Sequence, residues 1–512
     1  MASRLIPITV PAPGIRGLNL QEQSAVVGPE WARVADNLVI DDTGRLASRD
    51  GWTKTHASSI AAFPVEQVFE YKPNTGSNVD LMCLNNKIYK DSSTPTDITG
   101  ALTITANNWK FQNFNGNVVG YQAGHNPIIW KGTGNFTLLG LEAGASGIVL
   151  SNEVLTAFGR TWVVDPATGT TIKYSALLIP QDFSTASGGG SINLQSVWTR
   201  GQDKIIALAA FNNNLVIFGK DTITIYSNAD DVQNIVLAEV IYDIGCVARD
   251  SVQYVDEDLF FLSRTGVRSL KRTILQNKMP QADVSQNVRD DIIGKLAGED
   301  VNSIRSAYSK KNGSYYITFP ASAVMYNIDV KKYVASNEVR VFTWSEIEPK
   351  SLHVREDDEL LMGFAGGFVG TYGGISDNGT AFISKFLSGW TDLAQHLNSM
   401  ELSSRLVILK RYEAVLISTG NLSPTLTWAF DQSESAQSEQ ISVLSTGLSE
   451  YNTTDVEYNE DDEWSGGATA ENFVVNTTGS GRVFSFGLTS NMSGANLSYQ
   501  YANLMFKLGR VT

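Results

Sequence analysis

Between about residues 64 and 380 short apolar runs alternate with polar turns at a regular interval. Residues 207–227 (ALAAFNNNLVIFGKDTITIYS) and 251–271 (SVQYVDEDLFFLSRTGVRSLK) align without a gap, about 44 residues apart. Asn212-Asn213-Asn214 falls on Asp256-Glu257-Asp258, and Leu215-Val216-Ile217-Phe218 on Leu259-Phe260-Phe261-Leu262. Weaker copies occupy 67–90, 111–131, 154–175, 306–329 and 352–373. Their first turns, near Asn74, Asn115, Gly159, Asn212, Asp256, Lys311 and Asp357, are spaced 41 to 55 residues apart, the length of one four-stranded propeller blade. Runs such as LVIF and LFFL suit strands covered on both faces, whereas Thr222-Ile223-Thr224-Ile225-Tyr226 alternates like a strand with one wet face. Asn and Asp fill the turns because their side chains bond nearby amides and tolerate left-handed backbone. The pattern predicts an all-β protein containing a β-propeller of six to eight blades, with seven the preferred count.

The flanks obey other rules. Pro7, Pro11 and Pro13 exclude a regular helix at the start, while Trp31, Val34 and Ala35 fall at helical spacing and predict a short helix over 29–37. Two insertions, 227–245 and 273–303, break the repeat. In the second, after Pro280, Val288, Ile292, Ile293 and Leu296 share one face of an expected short amphipathic helix. Beyond about 380 the strands are separated by long Ser/Thr/Asn/Gly loops, as in a β-sandwich. The predicted organisation is 1–63, an N-terminal arm and first strands; 64–380, the propeller; and 381–512, a C-terminal β-sandwich-like domain.

Composition narrows the function. Of the 512 residues 18% are charged and 42% hydrophobic, a globular profile. A net charge of −14 argues against a surface that grips nucleic acid, which needs clustered Lys and Arg. Cys83 and Cys246 each sit in an apolar run and read as buried structural thiols. No apolar stretch approaches the ~20 residues of a membrane span, and the first residues lack a signal-peptide core. The expectation is a protein made in the cytoplasm with no membrane segment.

Chemistry finds little footing. His56, His125, His353 and His396 are scattered and read as isolated surface or loop residues, so neither a metal nor an imidazole acid–base site is expected. The carboxylate clusters at 256–258 and 356–359 occupy matching repeat positions and read as solvated turns, because neighbouring side chains on a turn point apart; a third, at 460–463, leaves calcium binding open. The third lacks the alternating ligands of an EF-hand loop. No nucleophile elbow or phosphate-cradling strand–Gly–helix unit occurs. The chain is expected to be no enzyme and to carry no cofactor.

The N-terminal run holds three phrases: Gly17-Leu18-Asn19; Pro29 with Ala32 and Asn37; and Gly44-Arg45-Leu46 leading to Arg49 and Gly51. Together with the blades FNNNLVIFGKDTITIYSNADD and VDEDLFFLSRTGVRSL, and with YSKKNGSYYITFP, this resembles the tail nozzle family (tail tubular protein B) of short-tailed bacteriophages, the podoviruses. The resemblance covers roughly the first 370 residues. It implies a structural virion protein of the tail: a hexamer beneath the portal and adaptor, forming the distal conduit for genome ejection and a platform for tail fibres or spikes, with DNA only in transit. An acidic lumen would let DNA slide. Candidate lumen or mouth residues are Glu356, Asp357, Asp358 and Glu359, and Glu460, Asp461, Asp462 and Glu463. One alternative is a carbohydrate- or receptor-binding propeller with Trp130, Trp162 and Trp198 as sugar platforms. Another is a peptide-binding propeller scaffold.

Overall fold

A blade starts as a hairpin whose turn residues choose its geometry. Ile205–Phe211 pairs with Asn214–Gly219 across Asn212 and Asn213, both at positive φ (48° and 61°), the backbone that a two-residue hairpin loop demands and asparagine tolerates. Thr222–Ser227 and Val236–Tyr242 complete the sheet. The computed structural model describes residues 5–22, 27–275, 283–336, 338–397, 405–433, 435–444 and 470–509.

Seven such hairpins follow in chain order, and residues of their first strands line one central axis. Among the described residues five belong to separate four-stranded sheets, and the one opened by Arg305–Ser309 supplies four strands of a larger sheet. The remaining one, opened by Gln253–Val255, is a three-stranded sheet. Helices Leu270–Leu275 and Arg289–Leu296 pack against its third strand, Gly266–Ser269. The second helix is the amphipathic one read from the sequence; Pro280 lies outside the described residues. Neighbouring sheets bury their own apolar seams, as where the Phe218 and Phe261 rings meet at 5.0 Å.

The last blade is closed by the N-terminal region. Trp52–Lys54 pairs antiparallel with Val369–Tyr372 as its fourth strand. Just before it, Arg49 is fully buried. Its guanidinium meets both Asp377 carboxylate oxygens (2.8 and 2.7 Å), the Asn37 side-chain oxygen (2.8 Å) and the Asp50 carbonyl (2.9 Å), and lies 3.9 Å from the Phe382 ring centroid. Gly51 follows because a Cβ there would come within 1.9 Å of the Ser376 carbonyl oxygen. At the first phrase, Gly17 has φ 76°, and a Cβ would sit 2.8 Å from the Val341 carbonyl oxygen.

Residues 32–36 depart from the sequence reading. They form the strand Ala32–Asp36, not a helix, antiparallel to Phe382–Ser388 and bridged in parallel to Thr343. The strand satisfies its backbone groups from both neighbours and buries Ala32 and Ala35, so tertiary pairing overrides the helical spacing. Through it the blade 305–344 continues into Phe382–Ser388, Phe484–Met492, Thr425–Phe430 and Gln437–Gln440, making nine strands. A seven-stranded sheet containing Ile6–Val10, Val407–Ser418 and Leu497–Leu508 packs against these later strands, with Phe484 on Phe506 at 4.5 Å and Tyr412 on Phe486 at 5.9 Å.

Arg49→Met strands Asp377 without its partner and is expected to destabilise the full chain by about 3–5 kcal/mol. The double variant R49M/D377L is expected to recover part of that loss, so the two effects are non-additive. Thermal and urea unfolding check this; a midpoint no lower than that of the exposed-site control Lys131→Met would refute the clamp.

Candidate functional site

The propeller axis is filled by paired charges. A pocket of about 360 Å³ there is lined by Gln67, Lys110, Arg249, Asp250, Arg305 and His353 among others. The Lys110 ammonium donates to Glu153 at 2.5 Å. Arg249 spans both Asp250 oxygens (3.0 and 2.8 Å) and reaches the Asn152 and Asn108 carbonyls, and Arg305 lies 3.3 Å from Asp250. Burial opposes ionisation of Asp250, yet Arg249 and Arg305 hold it well below the usual carboxylate range. Burial pushes Glu153 up, against Lys110 and Arg249. Charges from different blades thus compensate one another at the axis, which low polarity makes mandatory.

His353 belongs to this axial lining, and the sequence reading of it as an isolated surface or loop residue is corrected. Its Nε2 accepts the Glu70 backbone N–H at 3.1 Å, and its ring lies 5.5 Å from Phe69. Burial, then Lys72 and Arg355, push its pKa down to about 4. Protonation would turn the accepting nitrogen into a donor facing a donor. The remaining histidines are separate: His56 meets Asp91 at 2.6 Å, His125 contacts Thr105, and His396 contacts Thr391.

The acidic turn 355–359 lies at the rim. It joins Ser351–Val354 to Leu360–Gly363 and is braced by Arg355, which meets Glu359 at 2.9 Å and Asp80 at 2.5 Å. Glu356 accepts from Asn78 at 2.7 Å, while its own N–H donates to Glu70 at 2.9 Å. A recess of about 500 Å³ therefore gathers Glu356 and Asp357 with Glu70, Asp80 and Asp91 from the adjacent blade. Burial, and secondarily Asp91 and Glu70, raise the Asp80 pKa despite Arg355. Sequence reading missed Glu70, Asp80 and Asp91 because the blade seam, not local spacing, brings them in. Glu359 is engaged with Arg355, and Asp358 sits at φ 65° in the turn. Glu460, Asp461, Asp462 and Glu463 lie outside the described residues.

Asp258 is also not a solvated turn residue. It is buried, accepting from the Tyr333 hydroxyl (2.6 Å), the Ser269 hydroxyl and the Lys271 N–H (2.9 Å). Trp130, Trp162 and Trp198 are buried in blade seams and offer no stacking platform. Cys83 and Cys246 are free and buried, and burial raises both thiol pKa values, that of Cys246 to about 11. Among the described residues no three His, Cys, Asp or Glu side chains gather as metal ligands, and no helix is long and apolar enough to cross a membrane.

Residues 199–353 match the family model described as "Bacteriophage P22 Gp10, beta-propeller". This supports a phage structural protein, and through it a virion-associated one. No curated protein matches the chain. Solved structures similar to it include the WD40 β-propeller domain of Doa1 (TM-score 0.36, 9% identity, 64% of this chain and 96% of that one) and the Neurospora crassa Pan2 WD40 domain (0.35, 10%, 65% and 96%). YCF48 bound to D1 peptide is similar at 0.36 and 10%, over 64% and 97%. Likenesses this distant carry no weight for function.

Because the folded-state pKa of His353 is depressed, its contribution to stability is present above about pH 6.5 and is lost as pH falls towards 4. His353→Gln keeps an acceptor for the Glu70 N–H. It is expected to remove roughly 1 kcal/mol of the stability lost between about pH 6.5 and 5, read from urea midpoints at each pH. An unchanged pH slope would refute the assignment.

Proposed function

We propose that the protein is a non-enzymatic tail component of a short-tailed phage, the nozzle: an oligomer, by family resemblance a hexamer, beneath the tail adaptor. It would form the distal conduit for genome ejection and carry fibres or spikes. The observation that carries this reading is the match of residues 199–353 to the P22 Gp10 propeller. The three N-terminal phrases that resemble nozzle proteins add to it, because they occupy the junction of propeller and facing sheets: Gly17 against Val341, Asn37 on Arg49, and Arg49 on Asp377.

The charge-filled axis bears on where DNA would travel. With Lys110, Arg249, Asp250 and Arg305 lining it, a pocket of about 360 Å³ leaves no path for a duplex through one propeller, so the conduit would lie between copies. In this reading the acidic turn Glu356–Glu359, or the segment 460–463, faces the lumen or its mouth and repels the DNA backbone instead of exchanging its counterions.

Mixing the purified protein with the portal–adaptor complex of its own phage is expected to add a ring of density below the adaptor by negative-stain and cryo-electron microscopy. Failure to join that complex would overturn the nozzle reading. A reconstructed lumen lined by Lys and Arg would overturn the acidic-lumen assignment alone.

A further inference from the structure

Turn chemistry is broken in the blade that opens with Val154–Ala157. Between first and second strands two blades use Asn115-Gly116 and Asn212-Asn213, residues suited to left-handed backbone. The equivalent turn between Val154–Ala157 and Arg160–Val164 places Phe158 there, at φ 55°. On the same face Leu178 adopts φ 60°, its N–H bonded to the Gly159 carbonyl at 2.8 Å. Each such residue is strained relative to glycine. Burial does not repay Leu178, which with Leu177 lies over the Gly159 turn and stays 59% and 56% exposed respectively.

From Phe158 the apolar surface runs on across the next two sheets, into a groove of about 690 Å³ whose apolar lining includes Phe211, Tyr254 and Ile274. The charged groups on its rim are Asp256, Glu257 and Lys271, and Lys271 is already 3.5 Å from Glu257. The rim is therefore net negative, on a chain that is itself at −14.

We propose that this face, from Leu177 across Phe158 to the groove beside Glu257, docks an extended segment of another protein whose apolar side chains are flanked by lysines or arginines. Strain held at the exposed apolar residue Leu178 favours a surface kept for contact. The acidic rim selects a basic partner over a second copy of an acidic chain. The proposal does not rest on the nozzle reading.

The test uses the full-length protein and two fluorescein-labelled decapeptides with the same leucine–phenylalanine centre, one flanked by lysines and one by glutamates. Fluorescence polarisation is expected to show saturable binding of the lysine peptide, at least about tenfold tighter than the glutamate peptide and weakened by salt. Leu177→Ser and Leu178→Gly are each expected to weaken it about fivefold or more, and Glu257→Lys to erase the charge preference. Leu178→Gly should leave the melting temperature unchanged or higher, since glycine relieves the positive φ. The proposal is overturned by no saturable binding, by equal binding of both peptides, or by Leu178→Gly lowering the melting temperature while leaving binding intact. Self-association in sedimentation velocity that Leu178→Gly abolishes would assign the face to a second copy and equally overturn it.

Discussion

A circle of blades must be joined somewhere, and here the joint rests on one buried guanidinium. The last blade brings only three strands of its own, ending at Val369–Tyr372, and would expose an unpaired edge without Trp52–Lys54. Arg49 fixes where that strand lies. Desolvating an arginine is costly unless every donor finds an acceptor, and Asp377, Asn37 and the Asp50 carbonyl supply those acceptors, with the Phe382 ring against the guanidinium. Asn37 in turn donates to the Ile383 carbonyl at 2.8 Å. Closure of the propeller and attachment of the facing sheets are therefore one event: the acceptors that make Arg49 tolerable come from segments more than 300 residues apart in the chain.

That coupling explains what could be read in advance. The hairpins were legible because their information is local: Asn212 and Asn213 supply the turn, and Leu215-Val216-Ile217-Phe218 supplies a strand covered on both faces. The Arg49–x–Gly51 pattern was visible as a phrase, but its meaning required Asp377 and Ser376, which sequence spacing does not place nearby. Trp31, Val34 and Ala35 misled for the same reason. Their helical spacing is real, yet Ala32–Asp36 lies beside a blade and a late strand that together satisfy its backbone.

The site residues divide along the same line. His353 looked solitary in sequence because its environment, the Glu70 N–H, Phe69, Lys72 and Arg355, comes mainly from the neighbouring blade. The cluster around Glu356 likewise needed Glu70, Asp80 and Asp91 from across a seam. Asp258 read as a turn carboxylate by its repeat position, but Tyr333, beyond the helical insertion, turns it inward. A repeat sequence reports what each blade shares, whereas these charges sit at seams and insertions where the blades differ.

The axial charges and the strained turns then point in opposite directions. Lys110, Glu153, Arg249, Asp250 and Arg305 pair with one another at the centre, around a pocket of about 360 Å³. On the rims of the propeller most turns obey local preference. Phe158, Leu178, Ala323 and Glu346 do not, and of these Leu178 is a large apolar side chain left without compensating burial. Sequences usually agree with their fold at every level and break that agreement where something outside the fold imposes its own demand. The closure at Arg49 is a violation of burial rules that the fold itself satisfies; the loop at Leu178 violates a backbone rule that the fold leaves unmet, which places the external demand on that rim.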